Sequence, residues 1–215
     1  MYTFIVNPNA KTGLGYQVWS SLEAILKEKN VNYQVFFTKY QKHATRLAQK
    51  LTQESGAKTL IVLGGDGTIN EVINGIEDLD GTVLGYIPIG SSNDFARGMG
   101  LSTDPVQALK HILSPEHFTY INIGTAMYAG KTRRFAVSSG LGFDAGVCHQ
   151  VYVSKLKKLL NKLHLGKLSY AAVALQQILT MTPLKMTLTL DDNTPIELYK
   201  TYFATAMNQK VEGGG

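Results

Sequence analysis

Thr59-Leu60-Ile61-Val62-Leu63-Gly64-Gly65-Asp66-Gly67-Thr68-Ile69-Asn70-Glu71-Val72-Ile73 is the stretch whose reading decides the fold. Leu60 to Leu63 is a continuous apolar run, the pattern of a strand buried on both faces of a parallel sheet. Two glycines stop it. From Thr68 the period changes, and Ile69, Val72, Ile73 and Ile76 fall on one helical face. Thr68 and Glu71 read as a T-x-x-E capping box that marks the helix start.

A strand that turns through glycines into a helix N-terminus makes an anion site. Gly64, Gly65 and Gly67 let a ligand approach the backbone. The free N–H groups of the first helical turn, and the helix dipole, favour negative charge. Asp66 is the odd member, since a carboxylate repels phosphate. It fits if it holds a metal ion, directly or through water, or a sugar hydroxyl. The plainer alternative is a strand–turn–helix joint in which Asp66 and Thr68 are caps.

Gly64-Gly65-Asp66-Gly67-Thr68 resembles the signature of the diacylglycerol kinase catalytic-domain family and of its wider superfamily with NAD kinases and phosphofructokinases. Pro88-Ile89-Gly90-Ser91-Ser92-Asn93-Asp94-Phe95-Ala96-Arg97 is similar to the P-x-G-[TS]-x-N-D-F-A-R segment of the lipid-kinase branch. NAD kinases are not expected to carry that segment. The resemblance implies a site for ATP and Mg²⁺. Its nucleotide-binding positions would be Asn7, Pro8, Asn9, Ala10, Lys11, Thr38, Gly64, Gly65, Asp66, Gly67, Thr68, Ile69, Asn70, Glu71, Ser91 and Asn93. Asp66 and Asp94 would be the catalytic and metal-holding pair, suited to a hard cation that prefers carboxylate and water oxygens.

The match is not complete. Lys11 and Thr12 intervene before Gly13, where the family's N-P-x-[SA]-G segment has its glycine at once. Ser91 replaces the usual threonine and keeps the hydroxyl. Asn122, in Tyr120-Ile121-Asn122-Ile123-Gly124, stands where the family has the aspartate of a D-x-G segment tied to the metal. The family's general base is a glutamate in a D-G-E segment, and no Asp-Gly-Glu occurs in this chain. Asn208 to Gly215 resembles an N-x-x-x-x-G-G-G segment midway through the family's second domain. The expectation is therefore a fragment or a naturally short product, inactive alone. Glu212 is a poor stand-in base because it precedes a glycine run.

The chain has 215 residues, a formal net charge of +5, 44% hydrophobic and 17% charged residues. That is the composition of an ordinary globular protein. No apolar run approaches a membrane span, and the N-terminus reads as a first strand rather than a signal peptide. The single cysteine, Cys148, excludes an internal disulfide and fits a reducing cytoplasm. No cysteine–histidine spacing suits zinc. The modest basic excess suits ATP or an anionic lipid surface, and no nucleic-acid partner is expected.

Along the chain, strands are expected at Thr3 to Val6, Val31 to Thr38, Leu60 to Leu63 and Thr82 to Pro88. Helices are expected at Gln17 to Asn30, His43 to Gln53, after Gly67, after Asn93 and from Asp104-Pro105 to Leu113. This alternation argues a parallel α/β sheet whose ligands bind beyond the carboxyl ends of the strands. After Phe118 short strands are expected at Phe118–Ile123, Arg134–Ser139, Leu184–Leu190 and Leu198–Ala206, with helices near 144–160 and 168–181.

The fold class is thus α/β, a parallel-sheet nucleotide-binding domain over residues 1–122. Residues 123–215 would follow as the first part of a β-rich, β-sandwich-like lipid-substrate domain, truncated at its C-terminal side. Ser138-Ser139-Gly140-Leu141-Gly142-Phe143-Asp144-Ala145 resembles that domain's G-x-G-F-D-A segment. Residues 155–167 are basic and leucine-rich, fitting either an anionic membrane surface or a helix with inward leucines. The function implied is γ-phosphate transfer from ATP to a lipid hydroxyl, diacylglycerol first. Sphingoid-base or phosphatidylglycerol kinases, and a nucleotide-binding pseudoenzyme or regulator, are the alternatives. The protein would be cytoplasmic, peripheral at the inner membrane surface, and able to form a homo-oligomer.

Overall fold

The computed structural model describes residues 1–53, 58–142, 182–191 and 193–213. Two compact units emerge: residues 1–138 with 207–215, and residues 139–206.

In the first unit, β1 (Tyr2–Val6), β2 (Tyr33–Phe37), β3 (Lys58–Gly64) and β4 (Thr82–Pro88) form one parallel sheet in the order β2-β1-β3-β4. Leu60 to Leu63 is buried throughout, as a strand covered on both faces requires. Alternate residues serve opposite layers. Phe4, Val6, Ile61, Leu63 and Ile87 meet α2 (Gly15–Glu28) and α6 (Pro105–Leu113) through Trp19, Leu22, Leu26, Ala108 and Leu109. Ile5, Leu60, Val62 and Tyr86 meet α3 (His43–Thr52) and α4 (Asp66–Gly75) through Ala44, Ala48, Ile69, Val72 and Ile73. The aromatic centre of the first layer is Trp19, whose ring lies 5.0 Å from Phe4 and 5.9 Å from Tyr33. A short α1 (Ala10–Gly13) follows β1, and α5 (Asp94–Gly98) follows the β4 loop.

Chain direction explains the site's position. β2 lies on one side of β1 and β3 on the other, so the strand order reverses between β1 and β3. The loops leaving those two strands diverge and open a crevice at their carboxyl ends.

Helix starts follow local chemistry, with one correction. Asp104 caps α6, its Oδ1 accepting from Gln107 N at 2.8 Å, with Pro105 in the first turn. The capping box at Thr68 and Glu71 does not form. The N-cap falls three residues earlier, at Gly65 in extended conformation with no side-chain cap, and helix α4 begins at Asp66. Thr68 is already inside the helix, and Glu71 Oε1 accepts instead from the Lys42 N–H at 2.9 Å.

Two antiparallel strands, β5 (Gly124–Tyr128) and β6 (Lys131–Phe135), form a hairpin closed by Ala129 and Gly130, both at positive φ. It belongs to the first unit and packs on α4. Arg134 Nη1 donates to Ile73 O at 3.1 Å and Ile76 O at 2.6 Å, satisfying carbonyls at the C-terminal end of that helix. The division between the compact units falls after residue 138. Phe118–Ile123 forms no strand: Phe118 and Tyr120 are exposed, and Ile121 and Ile123 pack singly against the core.

The last segment returns to this unit. Asn208 donates through its backbone to Val137 O and through Nδ2 to Asn122 O and Ala136 O. Glu212 Oε1 accepts from the Ser138 hydroxyl, so Glu212 is held despite the glycines after it.

In the second unit β7 (Ser138–Gly142) pairs with β10 (Phe203–Met207), and β8 (Leu184–Leu188) pairs antiparallel with β9 (Ile196–Thr201). Antiparallel β-structure thus follows the parallel sheet. The two expected helices and the stretch 155–167 lie outside the described residues. Among the described residues, no helix is long and apolar enough to cross a membrane.

Candidate active site

The loops after β1, β2, β3 and β4 surround a cleft of about 450 Å³ at the carboxyl edge of the sheet. Asn7, Asn9, Ala10 and Lys11 line one side, Thr38 to Gln41 a second, Gly65, Gly67, Thr68 and Glu71 the floor, and Gly90 and Ser91 the far side.

The floor is the N-terminus of α4. Thr68 N and Ile69 N both reach back to Gly65 O, at 2.9 and 3.2 Å. The N–H groups of Asp66 and Gly67 precede any possible intrahelical acceptor. They and the helix dipole supply the positive end of the cleft. Asn7 Nδ2 donates to Thr68 Oγ1 at 3.1 Å, tying the β1 loop to this helix across the crevice. Asn7 Oδ1 also accepts from Asn9 N at 3.0 Å, which shapes the loop. Lys11 and Thr12 adopt left-handed backbone, at φ 49° and 58°, before Gly13 at φ 97°. The two residues inserted before the glycine are thus accommodated as a left-handed turn. Such conformations cost about 1–3 kcal/mol each in non-glycine residues.

The two glycine-bearing motifs meet through their backbones. A Cβ on Gly90 would lie 2.8 Å from Gly65 Cα, closer than side chains tolerate. Ile89 N donates to Gly64 O at 2.9 Å. Asn93, in left-handed conformation, holds Gly90 from both sides: its Oδ1 accepts from Gly90 N at 2.7 Å, and its Nδ2 donates to Gly90 O at 3.2 Å. Asp66 Oδ1 accepts from Phe95 N at 3.1 Å, bonding one motif's carboxylate to the other motif's helix. Asp94, the first residue of that helix, is buried, with the Arg97 guanidinium 3.9 Å from its Oδ1. Tyr86 reports the acidic character of this corner. Burial, then the charges of Asp66 and Asp94, push its phenol far above the ordinary value. It therefore stays protonated and donates to Gly64 O at 3.2 Å.

The residues named from sequence fall into three groups. Asn7, Asn9, Ala10, Lys11, Thr38, Gly65, Gly67, Thr68, Glu71 and Ser91 line the cleft. Gly64, Asp66, Asn93 and Asp94 build the joint beneath it, and Pro8 O accepts from Tyr16 N in the β1 loop. Ile69 is core, 1% exposed, and the Asn70 side-chain amide faces the hairpin beside Arg134 O and Arg133 Nη2. Lys39, Tyr40, Gln41 and Gly90 also line the cleft. Gly90 belongs to the P-x-G segment, whereas Lys39 to Gln41 carry no motif, and the signal for them is their position just beyond a strand end.

The donor set suits Mg²⁺. Among the described residues no three acidic, histidine or cysteine side chains gather to cage a metal. Mg²⁺ needs no such cage, since it keeps several waters and takes one or two carboxylates together with phosphate oxygens. Asp66 and Asp94, beside a helix N-terminus that attracts phosphate, offer that combination.

Residues 1–126 match the family model described as the diacylglycerol kinase catalytic domain. A Bacillus subtilis protein named "Putative lipid kinase YtlR" is 34% identical over 218 residues, covering 99% of this chain and 70% of that protein. A diacylglycerol kinase of Staphylococcus epidermidis is 30% identical over 174 residues, covering 80% of this chain and 51% of its own length. The crystal structure of a diacylglycerol kinase from Bacillus anthracis superposes with a TM-score of 0.67 at 26% identity, covering 99% of this chain and 66% of that one. The chain therefore spans between half and about two thirds of several of its relatives. On its first 126 residues and its similarity to YtlR over nearly its whole length, this chain belongs to the diacylglycerol kinase catalytic domain family.

Proposed function

We propose that the protein is an ATP-dependent lipid kinase that transfers the γ-phosphate to a lipid hydroxyl, with diacylglycerol as the first candidate acceptor. The observation that carries this reading is the Gly65–Gly90 contact, which puts Asp66 and Asp94 beside a helix N-terminus open to a cleft. Phosphoryl transfer asks the protein mainly for positioning and charge neutralisation, and these parts supply both.

The N–H groups at the start of α4 and the Thr68 hydroxyl would bind the phosphates, with Asn7 orienting that hydroxyl. Lys11 and Lys39 would balance phosphate charge at the cleft walls. Asp66 and Asp94 would hold Mg²⁺, which when bound offsets the charge of the phosphate oxygens. In the transfer, the bond from γ-phosphorus to the bridging oxygen breaks, the bond to the lipid oxygen forms, and the hydroxyl proton leaves to a base.

Diacylglycerol is named for the staphylococcal and B. anthracis relatives, whereas YtlR carries only the broader designation of lipid kinase. The acceptor would be met at the cytoplasmic membrane surface. The test is radiolabelled phosphate transfer from ATP to diacylglycerol, a sphingoid base and phosphatidylglycerol in mixed micelles by the gene product. Transfer to diacylglycerol is expected, with Asp66→Asn lowering turnover at least about 100-fold. Transfer to another lipid alone would reassign the acceptor. ATP binding with no transfer to any lipid would make the protein a nucleotide-binding regulator instead.

A further inference from the structure

We propose that Tyr40 is the wall against which the base of the nucleotide stacks. This inference rests on the reading of the cleft as a nucleotide site and adds the residue that receives the base.

The cleft has chemically different ends. The acidic pair lies at the ends of β3 and β4, because Asp66 and Asp94 begin the helices that follow those strands. Tyr40 lies three residues beyond the end of β2, at the other side of the four-stranded sheet. Three inter-strand steps of about 4.8 Å separate β2 from β4, roughly 14 Å in all. A nucleotide with its terminal phosphate at the acidic pair and its chain over the α4 N-terminus must extend toward β2. Its base then arrives at the loop that carries Tyr40.

Tyr40 is suited to receive it. The residue lines the cleft and is 52% exposed. It is nevertheless held in place. The His43 ring stacks on it at 4.6 Å with an interplanar angle of 24°. The Arg46 guanidinium sits 5.7 Å from its centroid and donates through Nη1 to the phenolic oxygen at 3.2 Å. His43 is itself oriented, since its Nδ1 accepts from Lys39 N at 3.0 Å. Both supports stand one turn apart on α3, so the ring is braced from that helix. A braced aromatic face loses little freedom when a flat ligand settles on it. It also accepts any base, since every base presents a π-face.

The experiment is calorimetric titration of the protein with Mg²⁺ present, using ATP, GTP and tripolyphosphate as three separate probes. Wild type, Tyr40→Ala and Tyr40→Phe are compared. Tyr40→Ala should weaken ATP and GTP alike by about 5- to 150-fold, the range for losing one base–aromatic stack. It should leave tripolyphosphate within about twofold, because that probe has no base. Tyr40→Phe should bind ATP within about threefold of wild type, since the ring remains. Equal ATP affinity in wild type and Tyr40→Ala would overturn the inference and leave the phosphate site standing. Equal loss of ATP and tripolyphosphate would also overturn it, because the ring would then act on the loop and not on the base. Failure of wild type to bind any of the three would remove the nucleotide reading and this inference with it.

Discussion

Replacing Gly67 by alanine should make the protein more stable and a worse binder of ATP. Gly67 is the second residue of α4, and a Cβ built there meets no atom within 4 Å. Packing therefore gives no reason for a glycine. Its backbone is helical, and glycine in a helix costs about 0.5–1 kcal/mol relative to alanine. At a helix end the lower figure applies, so the gain is about 0.5 kcal/mol. For a chain of this size that raises Tm by about 1–2 °C. The same methyl projects at the cleft floor, where a phosphate must approach the backbone closely. Losing one hydrogen bond to a charged group costs about 1.5–3 kcal/mol, or roughly 10- to 150-fold in affinity. Gly90→Ala should separate the two effects in the opposite sense. Its Cβ would lie 2.8 Å from both Gly65 Cα and Asn93 Oδ1, so the loops must part at a cost of about 1–3 kcal/mol. Thermal unfolding and calorimetric titration with MgATP on both variants make the comparison. Wild-type affinity in Gly67→Ala, or a Tm below wild type, would refute the reasoning.

Arg134→Ala removes both guanidinium bonds to the α4 carbonyls and should cost about 2 kcal/mol, lowering Tm by about 4–8 °C with ATP affinity little changed. Asn7→Asp keeps the acceptor for Asn9 N but puts an anion into the cleft. ATP should bind about tenfold more weakly at low ionic strength, and added salt should narrow the gap between variant and wild type. Tyr86 has a phenol raised by burial and by Asp66 and Asp94. The folded state keeps that proton above the ordinary tyrosine value of about 10, while the unfolded chain releases it. Its contribution to stability is therefore complete below about pH 10 and is lost as pH rises further, and Tyr86→Phe should flatten denaturation midpoints across that range.

The central strand and the helix after it were legible because both are long, apolar signals with opposite periods. Leu60 to Leu63, stopped by two glycines, fits a buried strand, and Ile69, Val72 and Ile73 fit one helical face. Helix α6 was legible because Asp104 and Pro105 are local chemistry. The capping box misled, because T-x-x-E is a pattern of identities, and Glu71 has a stronger tertiary claim from Lys42. Strand order was not readable either: nothing in β2 states that it pairs with β1 on the side away from β3. For the site, glycine spacing marked the floor, but the Gly65–Gly90 contact is a meeting of two loops distant in sequence. The Lys39–Gln41 wall carries no periodicity and no motif, and only the rim geometry reveals it. In the later part, Leu198–Ala206 reads as one strand, whereas β9 and β10 divide near Tyr202 and take different partners.

The central claim is that nucleotide phosphates sit at the start of α4, in the crevice between β1 and β3. The direct measurement is amide chemical-shift mapping of the isotope-labelled chain as MgATP is added. The account predicts the largest shifts at Gly65, Asp66, Gly67 and Thr68, with smaller ones at Asn7 to Lys11, Thr38 to Gln41 and Ser91, all lost in Asp66→Asn when Mg²⁺ is the only cation. Shifts confined to other surfaces, or none at millimolar MgATP, would contradict it.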